Sequence, residues 1–159
     1  MLTKFTSLVV HADVLKSGFI PNEEKSIWDP AQNIIWPGTV INTSECLMSA
    51  TDSRIQSLTE DLLFLLESKD SLFQVRKLAS VCGKIISLWN SVGSLTRLMV
   101  RNTFAVVKSV TNWNSLVSLT PEYINELNFW KDNLATINGV PLWPVKRKPT
   151  KIVYSDATN

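Results

Sequence analysis

Residues 71–138 read SLFQVRKLASVCGKIISLWNSVGSLTRLMVRNTFAVVKSVTNWNSLVSLTPEYINELNFWKDNLATIN, and apolar side chains recur there every three or four positions. This spacing is the period of an amphipathic helix. It predicts one helix at 75–92, a second at 95–110, and a third that begins after Thr120 and ends at Asn138-Gly139. Gly93 separates the first two helices, and Ser71 is a candidate N-cap for the first.

The third helix has the clearest start signal. Thr120-Pro121-Glu122 combines an N-cap, a proline at the first helical position and an acid that favours the positive end of the helix dipole. We expect one side of each helix to be buried: Val75, Leu78, Ala79, Cys82, Ile85, Ile86 and Trp89 in the first; Leu95, Met99, Val106, Val107 and Val110 in the second; Tyr123, Leu127, Trp130, Leu134 and Ile137 in the third. Trp89, Trp113 and Trp130 are expected to pack in the core or between helices.

Two of these helices carry cations opposite their apolar sides. Arg76, Lys77 and Lys84 fall on the polar side of the first helix. At about 100° per residue, Arg97, Arg101 and Lys108 lie within roughly 40° of one another on the second, with Phe104 beside them. Such a stripe suits a polyanion, but taken alone it is more typical of the solvated face of a helical bundle.

The composition limits the class of protein. The chain has 159 residues, 45% hydrophobic and 19% charged, which suits one domain, or a small domain with pieces of its neighbours. The net charge of +2 fits a nucleic-acid partner without requiring one. His11 is the single histidine, and Cys46 and Cys82 are too few for a zinc site or a disulfide framework. Both thiols are expected to be reduced and buried.

The chain has no apolar run near the ~20 residues that span a bilayer. We therefore expect an intracellular protein, cytoplasmic or nuclear, with no membrane partner.

Shorter elements flank the helical segment. Residues 1–16 form a predicted helix with an apolar stripe, 33–42 a hairpin that bends at Pro37-Gly38, and 52–68 a further helix. Residues 140–150 hold three prolines and the cluster Lys146-Arg147-Lys148, which suits a linker that is either solvated or in contact with phosphate. Residues 151–155 read as a strand that ends at Asp156. The predicted fold is mainly α (α+β): a three- to four-helix bundle with an N-terminal hairpin and a short C-terminal strand.

Two short segments carry a resemblance to a known family. One comprises Gly18-Phe19, Asn22-Glu23-Glu24-Lys25-Ser26, Trp28, Pro30 and Ile35-Trp36-Pro37-Gly38; the other is 151–157, which ends in Ser155-Asp156-Ala157. The first resembles the end of the palm of reverse transcriptases, above all those of DIRS-like (tyrosine-recombinase) retrotransposons. The second is similar to the first strand of a ribonuclease H domain. Between them, Arg76, Leu78-Ala79, Gly83, Glu126-Leu127, Phe129-Trp130 and Asn133-Leu134 also resemble the family.

The resemblance implies a division of the chain and a role for each part. Residues 1–48 would be the palm end, 49–139 the thumb and connection, 140–150 a linker and 151–159 the start of ribonuclease H. Lys25 would be a general acid that protonates the leaving pyrophosphate, and the hairpin residues Trp36, Pro37 and Gly38 would form the primer grip. The helical cations would bind the backbone of a primer–template duplex or an RNA–DNA hybrid, and Asp156 would be a metal ligand.

Each of these residues also has a plainer interpretation. Lys25 suits a surface lysine in a turn, and Trp36 suits a hairpin side chain packed on a core. Pro37 stands where the family usually has leucine or methionine.

The catalytic carboxylates of the family are largely missing. The Tyr-x-Asp-Asp turn and an earlier aspartate would lie before Met1, and Asp156 is one of about four carboxylates that would hold two metal ions ~4 Å apart. We therefore expect an inactive piece of a larger polyprotein, or a decayed copy of one. Its parent would use Mg²⁺, this chain would need no cofactor, and its partners would be nucleic acid and the remaining palm and ribonuclease H parts. The alternative is a non-catalytic helical protein-interaction module.

Overall fold

Residues 2–143 are described by the computed structural model, and they confirm a mainly α (α+β) fold with a small antiparallel sheet. The helices in this range are α1 (Leu2–Lys16), α2 (Asp52–Glu67), α3 (Val75–Ile86), α4 (Trp89–Val92), α5 (Leu95–Leu98), α6 (Arg101–Lys108) and α7 (Pro121–Ile137). The strands are β1 (Asn33–Ile35), β2 (Thr39–Asn42), β3 (Leu47–Ala50), β4 (Phe73–Gln74), β5 (Leu116–Val117) and β6 (Val140–Pro141).

Four helices enclose the core. α2 packs on α3 and α7, and α6 packs on the same two helices. The largest fully buried side chain is Trp130 of α7, which lies among leucines of α2, α3 and α7 in one apolar cluster. The predicted stripe of α7 is confirmed at Tyr123, Leu127, Trp130 and Leu134, while Ile137 packs at its margin.

The predicted helix at 95–110 is wrong as a single element, because the chain breaks between α5 and α6. In a continuous helix the N–H of Thr103 would donate to the carbonyl of Met99. Here the Met99 carbonyl instead accepts from the indole Nε1 of Trp130 at 2.7 Å. The N–H of Thr103 donates to the carboxylate of Glu126 at 3.0 Å. Two side chains of α7 therefore replace backbone hydrogen bonds and set the break.

The predicted helix at 75–92 also divides, into α3 and α4. The N–H of Leu88 donates to the carbonyl of Ile85, three residues back, which tightens the turn. This turn buries Leu88 and leaves Trp89 outside with 41% of its surface exposed. The expectation that Trp89 and Ile86 are buried is therefore wrong.

The buried side of α5 and α6 differs from the predicted one in its residues. Thr96, Val100 and Thr103 are buried, and Val81 joins the buried side of α3. The predicted residues of this side are only half-buried. Leu95, Met99, Val106 and Val107 pack at the edge of the core, and Val110 is half-buried after the end of α6. Trp113, expected in the core, is 54% exposed.

Helix starts were predicted with mixed success. The start of α7 is confirmed, since the Thr120 hydroxyl accepts the N–H of Tyr123 and Pro121 occupies the first position. Ser71 does not cap α3. Residues 73–74 pair with 116–117 as a short ladder, and the helix begins directly after it at Val75.

The predicted hairpin is confirmed and belongs to a larger sheet. β1 and β2 pair antiparallel with Ile34 opposite Ile41, and the strand order is β1-β2-β3-β6. β3 spans the boundary that we expected between the palm end (1–48) and the thumb (49–139). β6 forms within the predicted linker and pairs with β3. Just before β6, the Asn138 side chain accepts from the N–H of Ala50 and donates to its carbonyl, which holds this part of the chain against the end of β3. The cluster at 146–148, the strand at 151–155 and Asp156 lie outside the described residues.

α1 forms at the predicted position, but its apolar stripe is not buried. Phe5, Leu8, Val9 and Leu15 are exposed. The helix is tied instead to the segment that follows it: His11 stacks on Trp28 with ring centroids 4.1 Å apart, and the Ser7 hydroxyl donates to the Trp28 carbonyl. Within residues 2–143 no helix combines the length and apolar character needed to cross a bilayer.

The two thiols differ, which corrects the expectation for Cys46. Cys82 is buried in α3, whereas Cys46 is exposed in the turn before β3. Burial, reinforced by the charge of Glu126, raises the pKa of the Cys82 thiol. Only the thiolate reacts with disulfide reagents.

We therefore expect one thiol per native chain to react quickly with Ellman's reagent, and two after unfolding. A Cys46→Ser variant should lose the fast reaction. Two fast thiols in the native protein would contradict the burial of Cys82.

Candidate nucleic-acid interface

Arg97, Arg101 and Lys108 lie around one cavity of about 480 Å³, which we call the cationic groove. Its floor is apolar and comes from Ile86 at the end of α3 and from Val100, Phe104 and Ala105. α5 and α6 are separate helices, yet the break between them keeps these three cations on one side. The structure therefore places the three cations and Phe104 together, as the helical period predicted.

The cations of this groove are not neutralised by the described chain. The guanidinium of Arg97 lies 4.5 Å over the ring of Trp89, and the ammonium of Lys108 lies 4.9 Å from the centre of the Phe104 ring. Arg101 is exposed, and it also borders a neighbouring cavity whose lining includes Glu122 and Glu126. None of the three forms an ion pair within residues 2–143. The groove therefore presents three cations that have no ion-pair partner within residues 2–143.

Glu126 holds the helix that carries two of these cations. Its carboxylate is buried and accepts the backbone N–H groups of Asn102 and Thr103 at 2.9 and 3.0 Å, and the Thr103 hydroxyl at 2.7 Å. A carboxylate at this end also complements the dipole of α6. This capping role of Glu126 was not predicted from the sequence. The sequence feature that could have revealed this role is an acidic residue beside Leu127, on the apolar side of α7.

Lys77 and Lys84 are placed differently, because both pair with Asp61 of α2. Their ammonium groups lie 2.6 and 2.7 Å from the two carboxylate oxygens. Burial on its own would raise the pKa of Asp61, but the hydrogen bonds and charges of the two lysines outweigh it and lower the pKa. Asp61 is therefore ionised at neutral pH, and the trio carries a net charge of only about +1.

Arg54 connects the hairpin to the helices, and sequence reasoning missed it. Its guanidinium donates to the carbonyl of Gly38 at 3.3 Å and to both the carbonyl and the hydroxyl of Ser87. Arg54, Lys84 and Ser87, with Ser53, Ser57 and Leu88, line a polar cavity of about 240 Å³. The signal in the sequence was an arginine in the first turn of α2, directly after the sheet.

The two cavities lie on either side of one turn of α3. Lys84 and Ser87 border the polar cavity, and Ile86 borders the cationic groove. Arg76 stands apart from both, because it is exposed at the other end of α3, ten residues or about 15 Å before Ile86.

The tip of the hairpin is open to solvent. Trp36 is 70% exposed, so the interpretation that it packs on a core is wrong. Pro37 is exposed, and Gly38 has φ +74°, a conformation that favours glycine. The Gly38 carbonyl accepts from Arg54 and from the N–H of Thr51, which anchors the tip at the start of α2.

Gly38→Ala is expected to destabilise the protein by about 1–3 kcal/mol. The added Cβ would lie 2.8 Å from Cδ of Arg54, in a backbone conformation that alanine disfavours. Urea unfolding measures the effect. Gly83→Ala is the matched control, since its Cβ would meet nothing within 4 Å and alanine suits a helix better. Equal midpoints for both variants would contradict the strain at Gly38.

The catalytic candidates are not assembled in the described part of the chain. Lys25 is exposed in a turn, where its N–H donates to Asn22, and its ammonium forms no ion pair within residues 2–143. Asp156, the candidate metal ligand, lies outside that range. Inside it, no three His, Cys, Asp or Glu side chains are grouped as a metal site would require.

Comparison with protein families, curated proteins and solved structures finds no match to this chain.

Proposed function

We propose that this chain binds the sugar–phosphate backbone of a nucleic-acid duplex without reading its sequence, as the thumb-like part of a retroelement reverse transcriptase. The observation that carries the proposal is the cationic groove. Arg97, Arg101 and Lys108 converge there without an ion-pair partner in the described chain. Neutralising phosphates with such side chains releases counterions, and this release dominates non-specific affinity.

The polar cavity offers a second cationic surface, which is tied to the hairpin because Arg54 donates to the Gly38 carbonyl. Arg54 and Lys84 supply charge there, and the hydroxyls of Ser53, Ser57 and Ser87 are further donors suited to phosphate oxygens. We expect a primer–template duplex or an RNA–DNA hybrid to contact the cationic groove, with the polar cavity and the exposed Trp36–Gly38 tip as further contact points. Lys77 contributes less to phosphate binding because Asp61 offsets its charge. Arg76 contributes less because it lines neither cavity.

The remaining partners follow from the resemblance. The apolar side chains exposed on α1, together with Phe19, Ile20 and Ile27, suit contact with the rest of a palm. In the parent, carboxylates including Asp156 would bind Mg²⁺, and Lys25 would act as general acid. This chain alone would bind nucleic acid in the cytoplasm or nucleus and catalyse nothing.

The salt dependence of binding tests the proposal. We expect the affinity for an RNA–DNA hybrid to fall with a log–log slope of about −3, one unit for each of three phosphate contacts. Fluorescence anisotropy with a labelled hybrid, titrated at several salt concentrations, measures the slope. A hybrid of unrelated sequence should give the same curve.

The alternative is a helical protein-interaction module without a nucleic-acid role. It is favoured by the exposed apolar side of α1, which needs a protein partner under either proposal. The same titration separates the two. Absence of hybrid binding at about 50 mM salt, where phosphate contacts are strong, would favour the interaction module.

A further inference from the structure

The solvent side of α2 repeats the residue spacing of the cationic groove with the opposite charge. In α6, Arg101 and Lys108 stand seven residues apart, and Phe104 and Ala105 lie between them at the third and fourth positions. In both helices two like charges are therefore about 10.5 Å apart along the axis, with apolar side chains between them. We call the matching residues of α2 the acidic face: Glu60, Leu63, Phe64 and Glu67.

The acidic face is open to solvent. Leu63 and Phe64 are 42% and 52% exposed, both glutamates are exposed, and the buried leucines of α2 lie on the opposite side of the helix. Glu60 accepts a hydrogen bond from the Gln56 amide at 3.0 Å, and neither glutamate forms an ion pair within residues 2–143. Glu67 is also the last residue of α2, where the helix dipole favours a cation. A cation from another molecule would stabilise this end of the helix.

We propose that this protein self-associates, with the acidic face of one copy seated in the cationic groove of another. The two glutamates pair with Arg101 and Lys108, while Leu63 and Phe64 cover the apolar floor. The pattern reads the same in both directions, so the two helices can meet parallel or antiparallel. This is the helix-in-groove mode of protein recognition, with a second copy of the chain as the partner.

The floor of the groove favours such a partner over phosphate alone. Ile86, Val100, Phe104 and Ala105 make the floor apolar, and Phe104 is 42% exposed. A sugar–phosphate backbone is polar and would leave this surface uncovered, whereas leucine and phenylalanine side chains cover it. A small ligand with one charged group is a poorer fit, because it cannot reach cations about 10.5 Å apart at the same time.

The charge beside the acidic face does not oppose this contact. Lys77 lines the same cavity as Glu60 and Phe64, and its ammonium lies 5.4 Å from the centre of the Phe64 ring. Asp61 pairs with this ammonium at 2.6 Å and offsets its charge. The acidic face therefore keeps its negative character next to Lys77.

The two surfaces differ, so copies can join in two ways. A closed pair makes the contact twice, and an open series makes it once for each neighbour. Both give a mass that rises with protein concentration. Both should weaken as salt is added, because exposed charges are screened.

An exchange of charges tests the contact. We expect the face variant (Glu60→Lys, Glu67→Lys) and the groove variant (Arg101→Glu, Lys108→Glu) each to lower the self-association constant at least about 10-fold, because like charges then face one another. An equimolar mixture of the two variants should associate again. In that mixture the altered face meets the altered groove, and the native face meets the native groove. Sedimentation velocity over a range of protein concentrations measures all three.

Two further variants separate this contact from general effects. Glu24→Lys with Glu45→Lys makes the same change in charge at exposed acids outside α2, and it should associate like the wild type. Phe64→Ala keeps every charge and should weaken association several-fold, because it uncovers the floor. Circular dichroism confirms that each variant is folded.

One consequence rests on the proposed function. The second copy and a nucleic-acid duplex use the same cations, so each should exclude the other. Phe64→Ala leaves the groove intact and weakens its competing occupant. We therefore expect this variant to bind an RNA–DNA hybrid at least as tightly as the wild type does.

The outcomes separate the two proposals. A wild-type protein that stays single up to about 1 mM would overturn the self-association. Association that the face and groove variants leave unchanged would overturn this contact and assign the association to another surface, and so would variants that do not associate when mixed. Recovery in the mixture without any hybrid binding would support the contact and overturn the proposed function.

Discussion

The triple variant Arg97→Glu, Arg101→Glu, Lys108→Glu is expected to lose at least about 1,000-fold in affinity for an RNA–DNA hybrid at about 50 mM salt. Each cation removed costs a charge-assisted contact worth about 1.5–3 kcal/mol, and each glutamate adds repulsion. The residual salt slope should be smaller by about three units. Anisotropy titrations at several salt concentrations measure both quantities.

The control carries the same change in charge at other positions. Lys16→Glu, Lys69→Glu and Lys131→Glu together alter three exposed lysines that line neither the cationic groove nor the polar cavity. This variant should bind with nearly the wild-type slope. If both triple variants weaken binding equally, the affinity depends on net charge alone and the groove is not the site.

Glu126→Ala is expected to cost about 3–5 kcal/mol of unfolding free energy. The substitution removes a buried carboxylate and leaves the N–H groups of Asn102 and Thr103 and the Thr103 hydroxyl without their acceptor. Urea unfolding followed by circular dichroism measures the change. Since α6 carries Arg101 and Lys108, hybrid affinity should also fall under conditions in which the variant is still folded.

Two further variants sharpen this result. Glu122→Ala, one turn earlier on the same helix, removes an exposed acid and should cost less than about 1 kcal/mol. Glu126→Gln keeps the shape and one acceptor oxygen, and should fall between the two. A loss below about 1 kcal/mol for Glu126→Ala would show that α6 forms without its cap.

Local features of this chain were predictable because they depend on neighbouring residues. Thr120 and Pro121 start α7 through contacts within one turn, and Pro37-Gly38 bends the hairpin through its own backbone. The grouping of Arg97, Arg101 and Lys108 follows from helical geometry, and it persists because a two-residue interruption between α5 and α6 leaves the three on one side. Sequence was sufficient wherever spacing along the chain decided the outcome.

Contacts between distant residues decided the rest. Asp61 lies 16 and 23 positions before Lys77 and Lys84, so no local pattern shows that it offsets their charge. Arg54 reaches Ser87 across the bundle in the same way. The periodicity of α1 predicted a buried stripe, but burial needs a partner surface. The contacts shown here tie the helix to the segment around Trp28 and leave much of its apolar side exposed.

The sequence by itself determined the mainly α class, the positions of α1, α2 and α7, the hairpin and the set of cations on one helical face, because all of these follow from period and turn chemistry. Only the tertiary structure decided that the chain breaks at Met99 and Val100, that Trp89 faces outward, and that an apolar floor lies beneath the cations. The physical reason is that Trp130 and Glu126 compete for backbone groups about 24–31 residues away, and such competition exists only once the helices pack.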